Sequence, residues 1–127
     1  MSTTGKDIRA LFVQLRRAKR HRFPELRGQM TDEALDRPGV YIVYAPRSER
    51  VFYVGRTSRS TLRQRLKGHL SGSSKHHGPK WRHGYQFRCL AVRSARHRTL
   101  LEGYAIGMLC PKYLPTGAIK RSSPQSK

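Results

Sequence analysis

Acidic residues are what this sequence has least of. Among its 127 residues, 7 are Asp or Glu against 27 Lys or Arg, a formal charge of +20 and a pI near 11.4. That imbalance exceeds what solubility requires, so a polyanion is the expected partner. Long apolar runs are also missing. No stretch reaches the roughly 18 residues of a membrane span, and the N-terminal MSTTGKDIRALFVQLRRAKR breaks its apolar residues with basic ones, so neither a membrane role nor Sec-type secretion is expected. The same segment has the amphipathic, Arg-rich look of an organellar transit peptide, but Asp7 and the lack of a Ser-rich stretch argue against that reading. Cysteine is scarce: Cys89 and Cys110 sit in apolar surroundings without metal-finger spacing, which excludes a disulfide framework and predicts buried free thiols in a reducing, cytoplasmic compartment, nucleoid-associated if bacterial.

The length suffices for one compact domain, and 36% hydrophobic residues are enough to oppose disorder throughout. From Gly5 to about Arg22, Ile8, Leu11, Phe12 and Leu15 follow helical spacing, with Arg9, Arg16, Arg17, Lys19 and Arg20 on the other side. This predicts a helix docked on the domain, its basic side solvated or laid along a phosphate backbone. Pro24 and Gly28 punctuate the chain, Thr31–Leu35 reads as a short turn, and Arg37-Pro38-Gly39 is a break. Residues 1–36 are thus expected as a basic helix and connector, 37–115 as the domain proper, and 116–127 as a flexible basic tail.

After the break, GVYIVYA (39–45) and VFYVG (51–55) are β-branched and aromatic runs joined by five polar residues, a predicted β-hairpin. Pairing Ala45 with Val51 makes opposed residues sum to 96, so Val43 faces Tyr53, Tyr41 faces Gly55, and the two tyrosines share a face as diagonal neighbours. A helix capped by Ser58 or Ser60 follows, buried along Leu62, Leu66 and Leu70, with Arg65 and His69 one turn apart at the edge of that stripe. A third strand is expected over Tyr85–Val92 and a last helix from Ala95 to Leu109, apolar enough to be the central packed helix, stopped by Pro111. The fold class predicted is mixed α/β, a small three-stranded, mainly antiparallel sheet flanked by helices.

From Arg50 to Lys127 there are 17 Lys or Arg and one acid, Glu102. A sole carboxylate in the most apolar helix of so cationic a chain needs a reason. Two are open: an ion pair with Arg98, one turn earlier, or a role as ligand for a hard divalent cation whose other positions go to water and substrate phosphate.

Taken in order, these elements resemble the GIY-YIG nuclease family. Gly39-Val40-Tyr41 and Tyr53-Val54-Gly55 stand for the two half-motifs, Arg65-Leu-Lys-Gly-His69 for the helical Arg-x-x-x-His element, and Glu102 for the acid of the later helix, over about 37–115. The resemblance implies a GIY-YIG-like fold and a metal-dependent DNA endonuclease. In it Tyr41 helps deprotonate water with His69 as proton partner, Arg65 holds the scissile phosphate, Tyr53 and Arg56 position water and phosphate, and Glu102 binds one Mg²⁺ or Mn²⁺. Two departures stand out. Arg56 occupies a place where members often have Lys, keeping charge but not proton-transfer capacity, and Leu114, Pro115, Thr116 and Gly117 stand where many members have Asn.

His76, His77, His83 and His97 are too irregularly spaced for a zinc site and read instead as part of a basic loop. Trp81, between Lys80 and Arg82, either stacks on an unpaired base or anchors its loop. Lys80, Trp81 and Arg82, with Arg16, Arg17, Lys19, Arg20, Lys67 and Lys75, are the expected nucleic-acid contacts. The expected partner is double-stranded or branched DNA, with RNA as the alternative. A non-catalytic binding module on the same scaffold is the rival to an enzyme, and a place as subunit in a larger nuclease assembly is compatible with either.

Overall fold

The computed structural model describes residues 5–23, 26, 33–70 and 84–112. Helix α1 (Gly5–Arg17) leads into a two-residue strand β1 (His21–Arg22), then a 3-10 turn (Glu33–Asp36), the hairpin β2 (Gly39–Tyr44) and β3 (Val51–Arg56), α2 (Leu62–Leu70), β4 (Gln86–Ala91) and α3 (Ala95–Leu109). The sheet is antiparallel with order β1-β4-β2-β3, so it has four strands where the sequence predicted three. The addition comes from the segment expected to prolong α1: His21 and Arg22 pair with Phe87 and Gln86. Here the ladder of β4 outweighs local helical periodicity.

The sheet splits the core into two layers. On one side Tyr41, Val43, Phe52, Tyr53, Phe87 and Cys89 pack with Phe23, Leu26, Leu35 and the α2 residues Leu62 and Leu66. On the other, Val40, Ile42, Tyr44, Val51 and Val54 pack with Ile8, Phe12 and Leu15 of α1 and Leu101 and Ala105 of α3. Strand alternation distributes the apolar run of β2 over both layers, which is why GVYIVY is buried throughout. The predicted central helix instead covers one side only: Leu100 and Met108 stay exposed while Leu101 and Ala105 are buried. Cys89 is buried as expected, but Cys110 is exposed. It ends α3 in a left-handed conformation (φ 47°), its N–H donating to Ile106 O at 3.0 Å just before Pro111. None of the described helices is long and apolar enough to cross a membrane.

The hairpin register matches the expected sum of 96 from Val40↔Arg56 to Val43↔Tyr53, then shifts so that Tyr44, not Ala45, faces Val51. Phe52 is the extra residue of this bulge, and as a result both Phe52 and Tyr53 join the α2-side layer. Helix α2 begins with a reciprocal cap from Thr61, not from Ser58 or Ser60. The Gln64 N–H donates to Thr61 Oγ1 at 3.2 Å, and the Thr61 N–H donates to Gln64 Oε1 at 3.0 Å.

Arg98, one of the two open partners for Glu102, is engaged elsewhere. It is 6% exposed and does not reach for Glu102. Its Nε donates to Thr57 O, Nη2 to Ser58 O, and Nη1 to both Val92 O and Arg93 O, at 2.8–3.1 Å. One guanidinium thereby ties the β3–α2 connection to the β4–α3 connection. Arg98→Ala would leave these buried carbonyls without donors and is expected to lower unfolding free energy by about 3 kcal/mol, with little rescue by Lys, which lacks the planar fork; urea denaturation measures both.

Candidate active site

The strand pair β2–β3 supplies the first part of the site. Tyr41 faces Gly55 across the ladder, and the two rings of Tyr41 and Tyr53 lie 6.2 Å apart between centroids, tilted by 33°. A Cβ on Gly55 would come within 2.5 Å of Tyr41 Oη and 2.9 Å of Tyr53 Cε2. The absent side chain is therefore the space in which the phenols meet. Gly39 has a similar function at the start of β2, where a Cβ would run into the Leu90 carbonyl and Leu62.

Helix α2 adds Arg65. With Leu62 and Leu66 fully buried, Arg65 falls at the rim of the helix and its guanidinium donates hydrogen bonds to both phenols. Burial pushes the Tyr41 phenol far above its usual range, and Tyr53 and Glu102 push it further while Arg65 opposes them. Tyr53 is raised in the same way, first by burial and then by the charge of Glu102. Desolvation works against the charged form of Arg65, but the two tyrosines more than offset it. The resting site thus holds two neutral phenols against a firmly charged guanidinium.

Glu102 comes from the other face of the sheet, and its charge is felt at both phenols. Because β3 is the edge strand, side chains from the two layers can meet around it. The expected alternative of an Arg98 pair is replaced by a pair with β3: Arg56 Nε donates to Glu102 Oε1 at 3.1 Å, and Arg56 Nη1 donates to Ser58 Oγ at 3.2 Å. The Glu102 side chain is 15% exposed. Burial lifts its carboxyl above the ordinary value and Arg56 pulls it back only in part.

The other predicted residues divide in two. His69 belongs to α2, one turn beyond Arg65, but its side chain lies outside the described residues, as do Lys75, Lys80, Trp81, Arg82 and the region 113–127, which includes the Leu114–Gly117 stretch. Lys67 is exposed on α2. Arg16 and Arg17 are exposed on α1, which packs on the opposite side of the sheet from α2, so these cations do not join Arg65. Lys19 lies beyond the helix end. Arg20 is committed within the protein: it donates to Gln86 Oε1, Glu49 Oε2 and Ser48 O at 2.7–2.8 Å, with its guanidinium 4.0 Å from the Tyr44 ring centroid.

Residues 37–113 match the model of the GIY-YIG catalytic domain. The chain belongs to the GIY-YIG family. Among solved structures it is similar to the GIY-YIG N-terminal endonuclease domain of UvrC from Thermotoga maritima bound to magnesium, its catalytic divalent cation, with 25% identity, a TM-score of 0.52, and 63% of this chain and 85% of that one covered. An Asn-to-Ala variant of that domain matches at 24% identity over 68% of this chain and 88% of that one, TM-score 0.53. A Tyr-to-Phe variant matches at 18% over 93% and 100%, TM-score 0.54; at these identities the last two bear on the fold alone. No curated protein matches the chain. This GIY-YIG domain is accordingly a nuclease.

Two outcomes follow from the packing of the phenols. Adding a methyl at Gly55 (Gly55→Ala) is expected to cost about 1–3 kcal/mol in chemical denaturation, because Tyr41 has to move. In an absorbance titration, Tyr41 and Tyr53 should ionise above the ordinary phenol range, and Tyr41→Phe should remove part of that late phase. A phenol raised in the fold contributes stability that is present below its unfolded value of about 10 and is lost as pH rises through the folded one. The melting temperature should therefore fall progressively above about pH 10.

Proposed function

We propose that this GIY-YIG domain is a divalent-cation-dependent DNA endonuclease, with Tyr41, Tyr53, Arg65, His69, Arg56 and Glu102 as its machinery and Mg²⁺ or Mn²⁺ as its cofactor. The observation that supports this reading most is the convergence of Arg65 on both phenols under the charge of Glu102. No group of three or more His, Cys, Asp or Glu that could hold a metal occurs among the described residues, and Glu102 is the protein ligand proposed. It fits that part: a largely buried carboxylate with one oxygen bonded to Arg56 leaves the second for a hard cation, whose remaining shell would be water and substrate phosphate. A bound cation would supply charge neutralisation at the departing 3′ oxygen.

The chain's own groups account for the rest. Arg65, fixed by two phenol oxygens and exposed at the helix rim, binds a nonbridging phosphate oxygen and opposes the charge that grows there during attack. Tyr41 is neutral at rest, so it acts as a relay and not as a standing phenolate: its oxygen takes a proton from the attacking water as its own proton passes on. His69, four residues after Arg65 on α2, is the proposed acceptor of that proton. Tyr53, through its hydrogen bond with Arg65, holds the guanidinium and the water in place. The surplus of +20 charge attracts DNA regardless of its sequence.

With Mg²⁺, the wild type is expected to nick supercoiled plasmid, and branched oligonucleotides and RNA run in parallel define the substrate class. Glu102→Gln and Arg65→Ala should each lower the cleavage rate by about 10²-fold or more while leaving most of the salt-dependent affinity. Equal cutting by wild type and both variants would sink the assignment, and tight binding by the wild type without any cutting would make the domain a binding module.

A further inference from the structure

Arg56 was expected to face water and phosphate, yet its guanidinium lies on the carboxylate. Nε is bonded to Glu102 Oε1 at 3.1 Å and Nη1 to Ser58 Oγ at 3.2 Å. The two ends of the pair differ in exposure: the Arg56 side chain is 34% exposed, that of Glu102 15%. A cation that reaches Glu102 thus meets a positive charge already seated at its ligand, on a side chain with room to leave and a second anchor to hold it back.

We propose that Arg56 is a resident counter-ion that competes with the divalent cation for Glu102, so that metal binding loosens Arg56 from the carboxylate and frees it for the substrate phosphate. This rests on the reading of Glu102 as a metal ligand and adds to it the control of that site. A carboxylate only 15% exposed would be costly to leave unpaired, and from Arg50 to Lys127 the chain holds no other acidic side chain. A divalent cation at the second oxygen of the same carboxylate repels the guanidinium twice as strongly as a single charge would. Metal affinity is thereby lowered by the pair, and Arg56 is delivered to solvent, where a phosphate is its natural bidentate partner. Ser58 holds Nη1 at the mouth of the pair, which gives the released side chain a short path outward.

The test is metal binding without DNA, measured by isothermal titration of Mn²⁺ at pH 8, well above the carboxyl range. Arg56→Ala is expected to bind Mn²⁺ about tenfold more tightly than the wild type, a gain of about 1.4 kcal/mol, while cleaving DNA more slowly with a raised KM. Arg56→Lys should fall between, since an ammonium cannot span Glu102 and Ser58 together. Unchanged or weaker Mn²⁺ affinity in Arg56→Ala overturns the proposal and leaves the nuclease reading standing. If Glu102→Gln binds Mn²⁺ as the wild type does, the metal assignment of Glu102 falls and this proposal with it. A wild-type readout covers the case of a poorly folded variant. The Arg56 Nε–H resonance should shift or broaden as Mg²⁺ saturates the protein, and a resonance that does not change overturns the proposal.

Discussion

Tyr41 stands across the ladder from Gly55, and the meeting of the two phenols depends on that pairing. With no side chain at Gly55, the Tyr41 ring lies over the edge strand beside Tyr53, where one guanidinium from α2 can bond to both. The register that produces this is held away from the site. Apolar residues of β2 alternate into two separate layers, so a one-residue slip would move each of them to the wrong side. The bulge at Phe52 adjusts the hairpin end without disturbing the pairs nearer Tyr41. Bending the sheet at the turn and keeping it regular at the phenols is compatible with a site that needs two hydroxyls at fixed separation.

The second constraint is a buried cation. Arg98 bonds to carbonyls of two different loops, one leading from β3 into α2 and the other from β4 into α3. Those loops orient the helices that carry Arg65 and Glu102 respectively. In a chain with few acids, a buried arginine cannot count on a carboxylate, and backbone carbonyls serve in its place. A consequence is that among the described residues Glu102 pairs with Arg56, which couples the lone acidic side chain of the second half of the chain to the edge strand and not to its own helix.

Much of this was legible in the one-dimensional pattern, and the exceptions have common physical causes. The hairpin pairs, the span of α3 and the sharing of a face by Tyr41 and Tyr53 came from local periodicity, which burial enforces residue by residue. Two expectations failed where a long-range partner overrode a local one: residues 21–22 left the helix for the edge of β4, and Arg20 folded onto Tyr44 and Glu49 instead of facing solvent. A third was decided locally, Thr61 taking the cap because Gln64, three residues on, returns its hydrogen bond. Charge is visible in a sequence, but which charges are engaged is not, since a guanidinium reaches acceptors far along the chain.

By itself, then, the order of residues determined the motif elements, the hairpin register near Tyr41 and the dominance of positive charge, because alternation and helical spacing act over a few residues at a time. Only the tertiary structure decided the pairings of the cations: Arg98 with carbonyls, Arg65 with two phenols, Arg56 with Glu102. Those depend on distances between elements far apart in the chain, and long flexible side chains choose among several reachable partners only once packing has set which of them lie within a hydrogen bond.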